Sequence, residues 1–326
     1  MARLRVAVVY GGRSGEHEIS VRSAESVIAA MDPDRYEARR IFITKEGQWQ
    51  PRPILPVPDG NPDIDVVFPV LHGTFGEDGT VQGLLELACL PYVGAGVLAS
   101  SVSMDKEVHK RLCVERDLPV ADYIVLRRGQ FRPDEICGRF RYPMFVKPAN
   151  LGSSVGISKA KSCEELKAAL ELAAQYDRKI LVERGIEGRE FECAVLGNDE
   201  PVAAIPCEIL PSREFYDYED KYLLNEARTV LPADLPANQI REVQRLAVDC
   251  YRAVECEGMA RVDFLMETAT GKFLINEINT VPGFTSISMF PKMWEAAGLP
   301  YPALIDRLIE LALQRHRERQ TTRYAR

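Results

Sequence analysis

The chain has 326 residues, 46% of them hydrophobic and 27% charged, which allows two or three domains around a sizeable core. A formal net charge of −7 disfavours nucleic acid or an acidic membrane as a partner. No apolar run approaches the roughly 18 residues of a membrane span, and the apolar stretch within residues 1–10 is too short for a secretory signal, so the chain reads as cytoplasmic. Among the eight cysteines there is no C-x-x-C pair, and histidines number four. Reduced, buried thiols are therefore expected, not a zinc or redox centre.

Leu4 to Tyr10 is continuously apolar, as a strand buried on both faces should be. Val21, Ala24, Ile28 and Met31 follow at helical spacing. Ile41–Thr44 and Val66–Val70 read as further strands, with a Pro-rich surface loop at 51–62 between them, and Leu84–Cys89 as a helix. The alternation predicts an α/β unit over the first hundred residues. A second unit begins near Ser103, with a helix at 106–116 and a strand at 144–147 stopped by Pro148. Ser162 and Glu165 form a capping box opening a helix whose inner face is Leu166, Ala169, Leu170 and Ala173, and a strand follows at 179–183. A third unit runs from about Gly185. It holds strands near 192–196 and 202–205, a charged aromatic loop at 211–232, and a long helix with Ile240, Val243, Ala247, Cys250 and Val254 on one face. A hairpin comes next, and a last helix spans about 302–313. There is no internal repeat.

The hairpin is the most informative segment. Met259–Met266 and Phe273–Ile278 flank Thr268-Ala269-Thr270-Gly271, and side chains in a strand alternate faces. A three-residue loop, 269–271, with Gly271 left-handed, pairs 268 with 272. Asp263 then opposes Glu277, and Arg261 opposes Asn279. Opposed carboxylates have Cβ atoms roughly 5 Å apart and repel by on the order of 3 kcal/mol at an effective dielectric near 20, unless a cation lies between them. Two carboxylates and an amide oxygen form a hard donor set suited to Mg²⁺. Arg261 beside them suggests phosphates as the remaining ligands. A solvated polar face is the alternative.

Other candidates are weaker singly. Gly11–Gly15 departs from G-x-G-x-x-G spacing, and no P-loop motif is present. Gly152-Ser153-Ser154-Val155-Gly156, after the strand ending in Lys147-Pro148, suits a phosphate, or an ordinary hairpin turn. Glu16-His17-Glu18 lies just past the first strand, where ligands of open α/β sheets bind, and could hold an ammonium. His72 to Gly79 follows another strand and carries three glycines that permit close backbone approach. Pro282 to Ser288 offers amides and hydroxyls to an oxyanion or carboxylate.

Assembled, these segments, with Phe215–Tyr222, resemble the D-alanine–D-alanine ligases of the ATP-grasp superfamily along essentially the whole chain. The resemblance implies an α/β, three-domain ATP-grasp fold: a Rossmann-like N-terminal substrate domain at 1–102, a central ATP-grasp subdomain at 103–184, and a C-terminal one at 185–326 with a lid loop and metal site. It implies ATP and two Mg²⁺ (or Mn²⁺), with Asp263, Glu277 and Asn279 as ligands and Glu277 bridging. Lys106, Lys147 and Lys221 would contact phosphates beneath Ser153, Ser154 and Val155. Glu183 and Ile186 would meet the adenine, and Glu190 the ribose. Glu16 would anchor the ammonium of the first D-alanine, with His72 also on the substrate side, and Ser288 would receive the carboxylate of the second. Glu16, Ser153 and Tyr222 would close the lid as a hydrogen-bonded triad, and Arg261 with the Gly283 amide would stabilise the oxyanion. The implied role is peptidoglycan precursor synthesis by a cytoplasmic homodimer that binds neither nucleic acid nor membrane. Ligases that use D-lactate resemble each other in a lid histidine, and this chain has none between 110 and 315. A D-serine-accepting ligase and an inactive ATP-binding regulator are the other readings.

Overall fold

The computed structural model describes residues 3–152, 155–210 and 228–323. The first sheet comprises β1 (Leu4–Gly11), β2 (Tyr36–Ile43), β3 (Trp49–Gln50) and β4 (Val66–Val70), in the order β3-β2-β1-β4. β1 runs parallel to both β2 and β4. Parallel neighbours need a crossover, and α1 (His17–Ala30) supplies the one from β1 to β2. The continuous apolar run of β1 is buried from Val6 onward. α2 (Thr80–Leu87) and α3 (Val97–Met104) follow.

The second sheet is antiparallel, in the order β5-β8-β6-β7. Its strands are β5 (Tyr123–Arg127), β6 (Met144–Pro148), β7 (Ser158–Ala160) and β8 (Lys179–Arg184). α4 (Lys106–Glu115) precedes it, capped by Asp105, whose carboxylate accepts from the Glu107 and Val108 amides. α5 (Pro133–Ile136) and α6 (Cys163–Tyr176) pack together in this unit. The Ser162 hydroxyl accepts from the Glu165 amide, and Leu166, Ala169, Leu170 and Ala173 are buried, as the capping box and helical spacing predict.

The third sheet has the order β12-β11-β9-β13-β14, with β10 on β9. Its strands are β9 (Gly188–Gly197), β10 (Val202–Ala203), β11 (Cys207–Leu210), β12 (Arg228–Val230), β13 (Gly258–Glu267) and β14 (Phe273–Asn279). α7 (Ala237–Ala253) packs on β9, β10, β13 and β14, burying Val243, Ala247 and Cys250. α8 (Met289–Ala296) and α9 (Tyr301–Gln320) end the chain, and α9 returns to pack on α1 and β4. Leu304, Ile305 and Leu308 thus share one core with Val8, Phe68 and Val27.

Several elements carry no clear sequence signal. α3, β5, β11 and α8 are short or broken by Ser and Pro. β12 lies inside the segment read as a loop at 211–232, where its edge pairs with β11; the remainder of that reading, at 211–227, lies outside the described residues. The thiol expectation is also corrected. Cys137 and Cys163, 26 residues apart, are joined, with Cα atoms 5.3 Å apart, because the end of α5 meets the start of α6. Bridging requires that proximity and suitably directed side chains, which sequence spacing does not reveal. Of the six free cysteines Cys89 is exposed and the other five are buried. No helix among the described residues is long and apolar enough to cross a membrane.

Candidate active site

The hairpin reaches the expected pairing by a different route. Glu267 pairs with Lys272 through its amide at 2.9 Å, and the Gly271 amide donates to the Glu267 carbonyl, with Gly271 at φ +67°. The loop is therefore four residues, 268–271, not three. Met266, Leu265 and Phe264 then oppose Phe273, Leu274 and Ile275, and a bulge between Asp263 and Phe264 takes up the extra residue Asn276. A bulge places two residues against one and re-aims a side chain. Beyond it Asp263 opposes Glu277, and Arg261 opposes Asn279. The alternation of burial along β14 breaks at this point, with Asn276 and Glu277 both half-buried.

On its other side β13 pairs with β9, which sets Glu192 opposite Asp263. Directly opposed residues share a face, so Glu192, Asp263 and Glu277 form one row of carboxylates across three strands. Arg261 grips both oxygens of Asp263 at 2.6 Å and lies 3.3 Å from Glu192. Burial opposes its charge, yet Asp263, Glu192 and Glu277 outweigh burial and hold the guanidinium well above its usual range. The row exceeds the charge of one arginine, and its donors are all oxygen, so it fits a magnesium-type cation carrying phosphate.

Two adjoining cavities of about 760 and 750 Å³ meet at this row. Lys106, Gly152, Glu192 and Glu277 line both. The first lies toward the first sheet and takes in Glu16, His72, Arg261, Asn279, Gly283 and Ser288. The second lies between the other two sheets and takes in Lys147, Glu183, Ile186, Glu190 and Asp263. Val155 lines neither and is exposed. Ser153, Ser154, Lys221 and Tyr222 fall outside the described residues. The glycine-rich segment falls in the connection from β6 to antiparallel β7, a placement compatible with either a phosphate loop or a turn.

At the first cavity, Gly73 has φ +73°, and a Cβ there would lie 2.7 Å from Glu16 Oε2. The loop after β4 can therefore close on Glu16 only as glycine. His72 is buried, with Nδ1 3.0 Å from the Val281 carbonyl and 3.7 Å from Glu77, and Nε2 3.2 Å from Ser23 Oγ. Burial disfavours its charge, but Glu77 and Glu16 raise its pKa above the ordinary value. Glu77 is itself raised, first by burial, with Glu16 adding and His72 opposing. A Cβ on Gly152 would lie 3.7 Å from Glu16 and 4.0 Å from Glu77, so both acids reach the glycine-rich loop. Glu77, Ser23 and Glu192 received no role from sequence reasoning; Glu77 lay within a motif, whereas the other two carried no local signal. Ser288 is the residue before α8, and its hydroxyl lies 2.9 Å from the Thr285 amide and 2.8 Å from Thr285 Oγ1. The Ser23 hydroxyl also accepts from the Phe284 amide, tying the 282–288 turn to His72.

At the second cavity, Glu183 is buried between Lys147 at 2.7 Å and Lys110 at 3.2 Å. Burial alone would raise its pKa; the two ammonium groups overcome this and bring it to about 2. Lys147 is likewise desolvated, yet Glu183, Glu277 and Glu190 hold its pKa above the ordinary value, and its Nζ donates to Asn276 at 3.2 Å. Lys106 opens α4 and donates to the Leu151 carbonyl at 2.5 Å. Asn279 Oδ1 accepts from the Val281 amide at 2.9 Å.

The family description "D-ala D-ala ligase C-terminus" matches residues 112–310, and "D-ala D-ala ligase N-terminus" matches 5–55 and 55–95. A D-alanine–D-alanine ligase from Solibacter usitatus is 67% identical over 324 residues, 99% of this chain and 100% of that one. This chain belongs to the D-alanine–D-alanine ligase family. Another family member, from Thermoanaerobacter sp., is 48% identical over 98% of this chain and 99% of its own. Among solved structures, the D-alanine–D-alanine ligase from Coxiella burnetii is 40% identical, with a TM-score of 0.88 over 98% of this chain and 97% of that one. The VanG D-Ala:D-Ser ligase from Enterococcus faecalis is 34% identical, with a TM-score of 0.85 over 95% of this chain and 100% of that one. The fold is accordingly the ATP-grasp fold of these ligases.

Proposed function

We propose that this chain joins two D-alanine molecules into D-alanyl-D-alanine at the expense of ATP, through an acyl phosphate, for peptidoglycan precursor synthesis. The observation that carries this reading is the junction of two cavities at the carboxylate row, one with an acid-and-imidazole end suited to an amino acid and the other with a lysine-rich end suited to a nucleotide. In this reading residues 1–102 receive the amino acid, 103–184 and 185–326 clasp the nucleotide, and the enzyme works as a cytoplasmic homodimer.

Asp263, Glu277 and Asn279, with Asn276 adjoining, would hold two Mg²⁺ (or Mn²⁺). When bound, ATP with these ions supplies the phosphoryl group and neutralises charge during its transfer. Lys106 and Lys147 steer the phosphates, and Glu183 keeps Lys147 charged and fixed beside β8. Ile186 packs against the base, and Glu190 accepts from the ribose. Glu16, supported by Glu77 and His72, holds the ammonium of the first D-alanine so that its carboxylate lies toward Lys106 and the hairpin. Ser288, at the positive end of α8, receives the carboxylate of the second. The second amine attacks the acyl carbonyl, and Arg261 with the Gly283 amide stabilises the oxyanion before phosphate departs. Ser153, Ser154 and Val155 would cover the phosphates, Lys221 would contact them, and Tyr222 with Glu16 and Ser153 would close the lid that excludes water from the acyl phosphate.

A D-serine-accepting variant is the second reading, favoured by the likeness to VanG. The test is phosphate release with ATP, Mg²⁺ and D-alanine, with L-alanine, D-serine or D-lactate replacing D-alanine or added as a second acceptor. Release with D-alanine alone supports the dipeptide ligase, whereas a mixed product preferred over D-alanyl-D-alanine would move the assignment to the second reading.

A further inference from the structure

His109 and Cys113 lie one turn apart on α4, and so on one face of that helix; Cys250 faces them from α7. All three are buried, at 1%, 0% and 0% exposure. His109 Nε2 is 3.4 Å from Cys250 Sγ and 3.4 Å from Cys113 Sγ, and the three donor atoms lie within 4.8 Å of one another. None of these residues lines either cavity, and the ligation chemistry uses none of them.

We propose that His109, Cys113 and Cys250 bind a soft divalent cation, zinc, that pins α4 to α7. Sequence spacing argued against zinc because the two thiols are far apart in the chain and share no C-x-x-C; the fold brings Cys250 to a histidine 141 residues away. Around a tetrahedral zinc with bonds of about 2.0–2.1 Å to nitrogen and 2.3 Å to sulfur, donor atoms stand roughly 3.6–3.8 Å apart. The 3.4 Å separations need only a small outward relaxation to match. Two thiolates cancel the charge of a divalent ion, so the complex is neutral where burial would penalise a net charge. Thiolate and imidazole donors select zinc over magnesium or calcium. Binding displaces the two thiol protons to solvent, while the neutral imidazole donates a lone pair. Among the described residues no fourth His, Cys, Asp or Glu joins the cluster, which leaves one tetrahedral position to a non-protein ligand.

The position gives the ion a consequence. α4 carries Lys106 at its start and Lys110, which pairs with Glu183, whereas α7 covers the sheet that bears the carboxylate row. A cation between the two helices ties the lysine wall of the second cavity to the carboxylate wall.

The test uses the full-length protein, stripped with a chelator, kept reduced, and held in excess Mg²⁺ to occupy the hairpin carboxylates. Zinc is titrated against a chromophoric chelator, and Co²⁺ is followed by thiolate-to-cobalt charge-transfer absorption. One zinc per chain and a charge-transfer band are expected, together with a rise in melting temperature on adding zinc. Cys250→Ser should lose the band, and His109→Gln should weaken binding by more than the roughly 10–100-fold that loss of an outer-sphere partner costs. Cys89→Ser should leave both readings unchanged. The wild-type measurement is decisive even if a variant fails to fold: no band in the wild type, or a band surviving Cys250→Ser, overturns the proposal.

Discussion

The proposed amino-acid and nucleotide ends of the joined cavities are built in opposite ways. At the amino-acid end, Glu16, His72 and Glu77 sit on loops that follow the parallel strands β1 and β4, and they meet because glycines such as Gly73 let the backbone approach. At the nucleotide end, Lys147, Glu183, Glu192, Asp263 and Glu277 stand on the faces of antiparallel strands, and their meeting is a matter of register. A loop end can alter its substrate by changing a few residues; a register end holds its charges rigidly. A ligase that uses one phosphoryl donor but belongs to a fold with different second substrates is served by that division.

The largest expected effect breaks the register end at its junction. Glu277→Gln should reduce turnover by on the order of a thousandfold, since metal stabilisation of the transferring group is worth several kcal/mol, while the melting temperature and circular dichroism stay near wild type. Near-normal activity would remove Glu277 from the metal site. Next is Glu183→Gln, which leaves Lys110 and Lys147 buried without their carboxylate and should destabilise the protein by about 3–5 kcal/mol, read by denaturant unfolding. An unchanged midpoint would mean that the Lys110–Glu183–Lys147 cluster is not structural.

The loop end should respond in KM. Glu16→Gln should raise the KM for D-alanine by about 10–100-fold, the worth of one charged hydrogen bond, and leave the KM for ATP unchanged. A change confined to ATP would reverse the assignment of the two ends.

Titration sharpens the same contrast. The Glu183 pKa falls from 4.5 to about 2 on folding, so its contribution to stability is complete above about pH 4.5 and is lost as pH falls toward 2. His72 is raised from 6.5, so its contribution is complete below 6.5 and is lost as pH rises through the folded value. Acid should weaken the nucleotide end and alkali the amino-acid end. Stability profiles of Glu183→Gln and His72→Gln should each lose one of these limbs, and loss of the same limb in both would contradict the division. The smallest effect is Gly271→Ala. The added methyl meets nothing within 4 Å, but φ is +67°, so only backbone strain of about 1 kcal/mol is expected.

The contrast also explains what was legible in the sequence. Strand periodicity made the facing of Asp263 and Glu277 predictable, although the four-residue loop and the compensating bulge at Asn276 were not, because a turn and a bulge shift register by one residue each and cancel. Glu192 was invisible for another reason: it joins the row through β9–β13 pairing across some seventy residues, and no local pattern announces a distant strand neighbour. Ser23, on α1, was equally hidden, since its contacts with His72 and the Phe284 amide join segments distant in the chain. The Cys137–Cys163 bridge and the His109–Cys113–Cys250 cluster are the same lesson in thiols. α8, interrupted by Pro291 in its first turn, gave no helical signal, yet it sets Ser288 on the wall of the first cavity.

The central claim is that the two ends act on one reaction, with the nucleotide end activating the carboxylate held at the other. The most direct measurement quantifies D-alanyl-D-alanine and phosphate together, with ATP and Mg²⁺, as D-alanine is varied. The account predicts one phosphate for each dipeptide and no release without D-alanine. Phosphate released without D-alanine, or in its presence without dipeptide, would contradict it.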